Sequence, residues 1–257
     1  MSRLVRNLLR PIYKRRALAR DQAFQSRTPE VYLAACLIFR NEANNLDEWI
    51  QFHLGVGIEH FYLFNNNSTD HYEQVLDPYI KRKVVMLSHW ADYRTRDKAY
   101  ALAAEQCADH TRWLAIFDSD EFLFSVSNQK VSDSLRLLEN VPAIQVLRYE
   151  YGANGHTQRP NGPIIDNYLK RSAAFRGVKS IINPRLVAEI GHHQCRSFGG
   201  RQALSTELRI NHYWARSLED LNAKNRNHRT NYDGEYQLQR EAENNKVRDE
   251  AIFQRRG

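Results

Sequence analysis

The sequence predicts an α/β protein, a mostly parallel sheet with helices on both faces, and three observations predict it. Near-continuous apolar runs at residues 31–39, 58–64 and 113–117 read as strands buried on both faces. Segments with helical spacing of apolar residues alternate with them, the β-α-β-α-β-α-β order that builds a parallel sheet. The chain has 257 residues, 42% of them apolar and 26% charged, enough to bury a core without disulfide staples. Cys36, Cys107 and Cys195 lie far apart, which excludes a disulfide framework and a cysteine zinc module. The longest apolar run, Val31 to Phe39, falls well short of the ~18 residues of a spanning helix.

The chain opens with a basic leader, residues 1–27. Its first 20 residues carry Arg3, Arg6, Arg10, Lys14, Arg15, Arg16 and Arg20 and no acid, so the leader holds the whole net charge of +7. The body is neutral, which argues against nucleic acid as a partner. Leu4, Val5, Leu8, Leu9 and Ile12 form one helical stripe, with arginines mainly off it. A basic amphipathic helix of this kind suits an anionic membrane surface; the alternative is a helix that packs on the body. Pro11 is expected to kink or end it. A cleavable signal is excluded, because there is no continuous apolar core and no small-residue cleavage site.

The body, residues 28–226, starts with the strand 31–39. Asn41 is a candidate helix cap, followed by an inward face of Leu46, Trp49, Ile50 and His53 or Leu54, with Gly55 and Gly57 ending the helix. The strand 58–64 runs into the turn residues 65–70. A helix from Tyr72 leads to a strand at 83–87, and residues 94–109 read as a helix with Ala99, Leu102, Ala103 and Cys107 inward. The strand 113–117 stops at Asp118. A helix at 132–139, a strand at 143–149, a strand at 208–213 and a helix at 217–226 follow. Residues 151–207, rich in Gly and Pro, read as short strands and loops over the sheet. The tail 227–257 is polar, with helical character.

Three segments carry chemistry. Asp118-Ser119-Asp120 follows a buried strand, at the carboxyl side where open α/β sheets bind ligands. Carboxylates at i and i+2 of extended chain point the same way and repel unless a cation sits between them, and hard oxygens select Mn²⁺ or Mg²⁺. Arg40-Asn41-Glu42, after the first strand, offers a helix start for an anion and an arginine for a diphosphate. Asn65, Asn66 and Asp70 after the second strand can read a base or ribose, or cap the next helix as an Asx turn. Glu121 alternates away from the aspartates and reads as structural. His192-His193 with Cys195 lacks zinc-finger spacing, and adjacent histidines in a strand point apart.

Together these segments are similar to GT-A-type nucleotide-sugar glycosyltransferases, which have a Rossmann-like sheet, and more narrowly resemble glycosyltransferase family 92. The residues that carry the resemblance are Arg40-Asn41-Glu42-Ala43 with Glu48-Trp49-Ile50 and His53, His60-Phe61 with 66–70, and the stretch 113–123. Gly152-Ala153-Asn154-Gly155-His156, Lys179 to Pro184, and Asn211-His212-Tyr213 with Lys224-Asn225-Arg226 resemble later blocks. The likeness covers roughly residues 31–226.

The resemblance implies a metal-dependent, inverting hexosyltransferase. Its donor is a UDP-sugar with galactose favoured, its acceptor a glycan or glycolipid, and its setting polysaccharide synthesis. Asp118 and Asp120, with His212 from the Asn-His-Tyr block, are the expected ligands of Mn²⁺ or Mg²⁺, and Asp118 also serves the ribose. Arg40, Asn41, Glu42, Asn65, Asn66 and Asp70 are the expected donor contacts, and His156, Glu150 and Asp166 the candidates for the base that inversion requires. Eukaryotic members usually carry an anchor helix; its absence points to a cytoplasmic bacterial enzyme, peripheral on the inner membrane face. Two other readings are a nucleotidyltransferase, opposed by a first loop without glycine, and a non-catalytic carbohydrate-binding protein, opposed by the paired aspartates.

Overall fold

A computed structural model describes residues 3–127, 130–228 and 234–255. Its elements run α1 (Arg3–Gln25), β1 (Val31–Phe39), α2 (Ala43–Gly55), β2 (His60–Asn65), α3 (Tyr72–Lys81), β3 (Val85–His89), α4 (Arg96–Cys107) and β4 (Thr111–Ile116). Then come β5 (Glu121–Ser125), α5 (Val131–Arg136), β6 (Ala143–Glu150), α6 (Ile164–Asn167), β7 (Lys170–Arg171), β8 (Val178–Ile182), β9 (Val187–Ile190) and β10 (Cys195–Ser197). The chain finishes with β11 (Ala203–His212), α7 (Leu218–His228), α8 (Gly234–Glu243) and β12 (Val247–Arg248).

One sheet of eight strands, ordered β3-β2-β1-β4-β8-β6-β11-β5, organises the molecule. Its first four strands are parallel neighbours, the expected series. In its second half β6 and β11 are parallel, while β8 and β5 run against their partners. Alternation along β1 explains its unbroken apolar run. Leu33, Ala35 and Leu37 pack with Trp49, Phe61 and Trp113 under α2, while Ala34, Cys36 and Ile38 pack with Tyr62, Leu114 and α4 on the other face. The larger side chains on each face, such as Leu33, Leu37 and Ile38, contribute about 1.5–3 kcal/mol apiece. Ala99, Ala103 and Cys107 let α4 lie close to the sheet.

Several expectations are corrected. Leu102 is exposed, because the small residues of α4 take the inward face. Asn41 does not cap α2. It stands at φ 55°, a left-handed turn that Asn tolerates, and Glu42 is the N-cap. The stretch 151–207 does not simply lie over the sheet, since β8 is one of its inner strands, between β4 and β6. Helix α1 passes through Pro11 and continues to Gln25. Its far end is docked: Asp21 and Phe24 are buried, and Asp21 accepts from Arg185 Nε at 2.9 Å and Asn183 Nδ2 at 2.7 Å. The side chains of Leu4, Val5, Leu8 and Leu9 lie outside the description, as do those of Asn225 and Arg226. The tail packs on the body, with Ile252 buried and Arg255 donating to the carbonyls of Ser125 and Val126 at 2.7 Å each. Among the described residues no helix is long and apolar enough to cross a membrane.

Candidate functional site

Asp118 and Asp120 sit in the turn between β4 and β5, where Glu121 N–H donates back to the Asp118 carbonyl at 3.1 Å. The chain there is not extended, so the two carboxylates do not simply share a face, and each has its own cationic partners. Asp118 Oδ2 accepts from Lys179 Nζ at 2.7 Å and lies 3.3 Å from His192 Nε2. Asp120 Oδ2 accepts from Lys224 Nζ, and its Oδ1 lies 3.4 Å from His212 Nε2. Burial opposes the charge on both, but these cations outweigh it and hold both carboxyls well below the usual range. The repulsion expected of the pair is thus relieved by the chain's own ammonium groups.

The apolar face of α2 fixes this turn from beneath. Trp49 Nε1–H donates to the Glu121 carbonyl at 2.8 Å, and the Leu123 N–H donates to His53 Nε2 at 3.0 Å. The His53 Nδ1–H donates to the Trp49 carbonyl at 2.7 Å. That pattern needs a neutral ring, and full burial pushes its pKa down to about 3. Glu121 holds the turn through its own contacts, since the alternation expected of an extended segment does not apply here. One oxygen accepts from the Asp118 N–H at 2.8 Å and lies 3.2 Å from Lys179; the other accepts from Arg148 Nη1 at 3.1 Å.

His212 arrives from the far half of the sheet. It ends β11, in register with Glu121 of β5 and Glu150 of β6, and the next N–H, that of Tyr213, donates to the Asp120 carbonyl at 2.8 Å. Burial pushes its pKa down, but Asp120 and Glu150, the latter 3.7 Å from Nδ1, reverse this and raise it overall.

A cavity of about 430 Å³ opens over these groups. Of the residues singled out in the sequence, Arg40, Glu42, Asp118, Asp120 and His212 line it. Asn41, Asn65, Asn66 and Asp70 do not; they tie the first two loops together. Asn41 Oδ1 accepts from the Thr69 N–H at 2.8 Å, and Asp70 Oδ2 accepts from the Ala43 N–H at 2.8 Å, at the start of α2. Asn65 Oδ1 accepts from the Ser68 N–H at 2.9 Å, and Asn66 Nδ2 donates to the carbonyls of Trp90 and Ala91. The expected cap of the next helix is not made: His71 is the N-cap of α3 with no side-chain bond, and Asp70 serves the start of α2 instead. The base candidates are also off the cavity wall. His156 Nε2 faces the Asn167 carbonyl at 3.2 Å, and Asp166 lines a different hollow beside Glu48. Glu150 lies behind His212, its oxygens accepting from Arg240 at 2.7 and 3.0 Å.

Sequence reasoning missed Tyr93, Arg148, Trp214, Lys224 and Arg240 on the wall and Lys179 behind Asp118, and it set aside His192 and His193, which line the wall too. Lys179 and Lys224 stood in quoted blocks, but nothing local assigned them to the aspartates. His192 and His193 lie in the connection from β9 to β10 and not in a strand, so both rings reach the cavity. Carboxylate oxygen and imidazole nitrogen from Asp118, Asp120 and His212 are donors that Mn²⁺ accepts. Among the described residues no three His, Cys, Asp or Glu side chains gather tightly enough to hold an ion.

The sequence model of glycosyltransferase family 92 matches residues 31–254, which takes in the docked tail beyond residue 226. A family 92 protein of Oryza sativa subsp. japonica is 30% identical over 169 residues, 62% of this chain and 29% of its own length. One of Arabidopsis thaliana is 25% identical over 210 residues, 75% of this chain and 36% of its own length. The chain spans about a third of the length of these curated relatives. Among solved structures, S. aureus TarS 1–349 is similar over 82% of this chain and 70% of that one, with 12% identity and a TM-score of 0.48. Its complex with UDP-GlcNAc has a TM-score of 0.46 at 12% identity, over 82% of this chain and 71% of that one. With a family model covering most of its length, the chain belongs to glycosyltransferase family 92.

Proposed function

We propose that the chain moves a sugar, galactose, from a UDP-sugar to a glycan or glycolipid acceptor, with inversion and with a divalent metal, at a membrane surface. The observation that carries the reading is the pair Asp118 and Asp120, ionised at the carboxyl end of β4 and facing a cavity with cations on its wall. A departing nucleoside diphosphate gains negative charge as the bond to C1 breaks, and the cavity concentrates positive charge where that happens. Asp118, Asp120 and His212 would hold the metal, which supplies Lewis-acid neutralisation of the leaving group. Arg40, exposed on the wall at the entrance to α2, is in place to meet an anion. Lys179 keeps Asp118 ionised, and Tyr213 fixes the Asp120 backbone. The test is thermal shift with each nucleoside diphosphate, with and without Mn²⁺. UDP should stabilise the protein, and more so with metal; no shift with any diphosphate would overturn the reading.

The membrane setting rests on α1. Beyond the docked Asp21 and Phe24 it exposes Arg10, Ile12, Tyr13, Lys14, Arg15 and Arg16. Near-surface Lys and Arg contribute about 1 kcal/mol each at an anionic bilayer. Deleting residues 2–20 should release the protein from phosphatidylserine vesicles in a cosedimentation assay and leave turnover of a soluble acceptor intact. Equal sedimentation of both forms would remove the membrane from the proposal.

A further inference from the structure

The two lysines on the aspartates differ in what they can do. Lys179 rises from the inner strand β8 with a side chain 1% exposed, and its ammonium sits between Asp118 at 2.7 Å and Glu121 at 3.2 Å. Two carboxylates share that one charge; without it Asp118 would keep His192 and Glu121 would keep Arg148, so what sets Lys179 apart is its burial between them. Lys224 comes from α7, at the rim, with a side chain 23% exposed. It lines the cavity, contacts Asp120 Oδ2 and reaches the Trp214 carbonyl at 3.4 Å. Its four-carbon stem carries a point charge with three rotatable donors. If it turned away, Asp120 would keep His212 on its other oxygen. Two other cations of the wall are committed: Arg148 bonds Glu121, and Arg240 bonds Glu150. Helix α7 itself is fixed at its start, where Ser217 Oγ accepts from the Asp220 N–H at 3.0 Å and donates to the Asp220 carboxylate at 2.8 Å. The base of the lysine is therefore held, while its tip stands at the rim, partly exposed, on Asp120 and the Trp214 carbonyl.

From this asymmetry we infer that Lys224 is a donor-binding residue: its ammonium leaves Asp120 for the diphosphate when a nucleoside diphosphate enters, whereas Lys179 stays on Asp118. The inference rests on the donor reading above and assigns the diphosphate a ligand on α7. A diphosphate carries two or more negative charges into a site already balanced by pairs. An exchangeable ammonium answers that charge, and a clamped one cannot. On this proposal Lys224 serves the phosphates, so binding of a nucleoside without them should not depend on it.

The test is calorimetric titration of UDP and of uridine, with and without Mn²⁺, into the wild type, Lys224→Gln and Lys224→Arg. Glutamine keeps a hydrogen-bond donor for Asp120 and removes the charge, so the fold is retained. Loss of one charge-assisted contact should weaken UDP by about tenfold or more and uridine by less than about twofold. Arginine should recover part of the loss. Equal weakening of UDP and uridine would reduce Lys224 to a packing role and overturn the inference. UDP binding by the wild type with unchanged affinity in Lys224→Gln would also overturn it, and leave the donor reading standing. No UDP binding by the wild type would overturn both.

Discussion

The two ends of β4 each carry a cluster of charge, and the clusters differ in what neutralises them. At the amino end, Asp21 of α1 holds Arg185, whose Nε donates to it at 2.9 Å. The rest of that guanidinium donates to the carbonyls of Ala108 and Thr111 at 2.7 Å and Arg112 at 3.3 Å, above the ring of Phe24. Its partners are mainly main-chain oxygens, which cannot be exchanged without unfolding. At the carboxyl end, Asp118 and Asp120 meet side chains: Lys179, His192, Lys224 and His212. Side-chain partners can be traded for a ligand, and the imidazoles of His192 and His212 each keep a buried Nδ1 without a hydrogen bond. Buried charge is common to both ends. What sets the carboxyl end apart is that its carboxylates are met by side chains that a ligand could displace.

The contrast breaks if the wrong cluster controls chemistry. Asp120→Ala should cut transfer by about a thousandfold or more, several kcal/mol of leaving-group stabilisation, with an unchanged circular dichroism spectrum. Turnover near the wild-type rate would end the metal and donor reading together. Asp21→Ala should do the opposite. It leaves Arg185 buried without its counter-charge, a loss of about 3–5 kcal/mol in urea unfolding, with kcat/KM of the folded protein unchanged. A normal unfolding midpoint would show that the amino-end cluster holds nothing together.

A third test lies under the site. His53 is neutral when folded, with a pKa near 3 against an ordinary 6.5. The unfolded chain therefore binds its proton first as pH falls. Stability is full above about pH 6.5 and declines by about 1.4 kcal/mol per unit towards pH 3. His53→Gln should flatten that part of the acid limb, measured by urea midpoints across pH; an unchanged slope would assign the loss elsewhere. The smallest effect belongs to an exposed pair near the amino-end cluster, Arg20 with Asp109, at 45% and 74% exposure. Arg20→Ala should cost under about 0.5 kcal/mol by the same measurement, and a larger loss would mean that α1 docks through its surface as well as through Asp21.

Much of the fold was legible because its signals are local. The strands under Val31–Phe39 and Trp113 announce themselves by burial on both faces, and α2 by the spacing of Leu46, Trp49 and Ile50. The strand β8 was not, since Lys179 and Ser180 interrupt its apolar character; they are polar because they back the site. The loop residues Asn41, Asn65 and Asp70 looked like ligands because turn chemistry and ligand chemistry use the same amides and carboxylates.

By itself the sequence determined the parallel half of the sheet, the basic leader, and the position of Asp118 and Asp120 where a buried strand stops. These depend on periodicity and on neighbours a few residues away. Only the tertiary structure decided that Lys179 meets Asp118 and Lys224 meets Asp120, across separations of 61 and 104 residues, and that His212 lands beside Glu121 and Glu150. Those pairings are set by strand order and register. A lysine carries no local mark of the carboxylate it will neutralise, because that choice is made by the whole sheet closing around it.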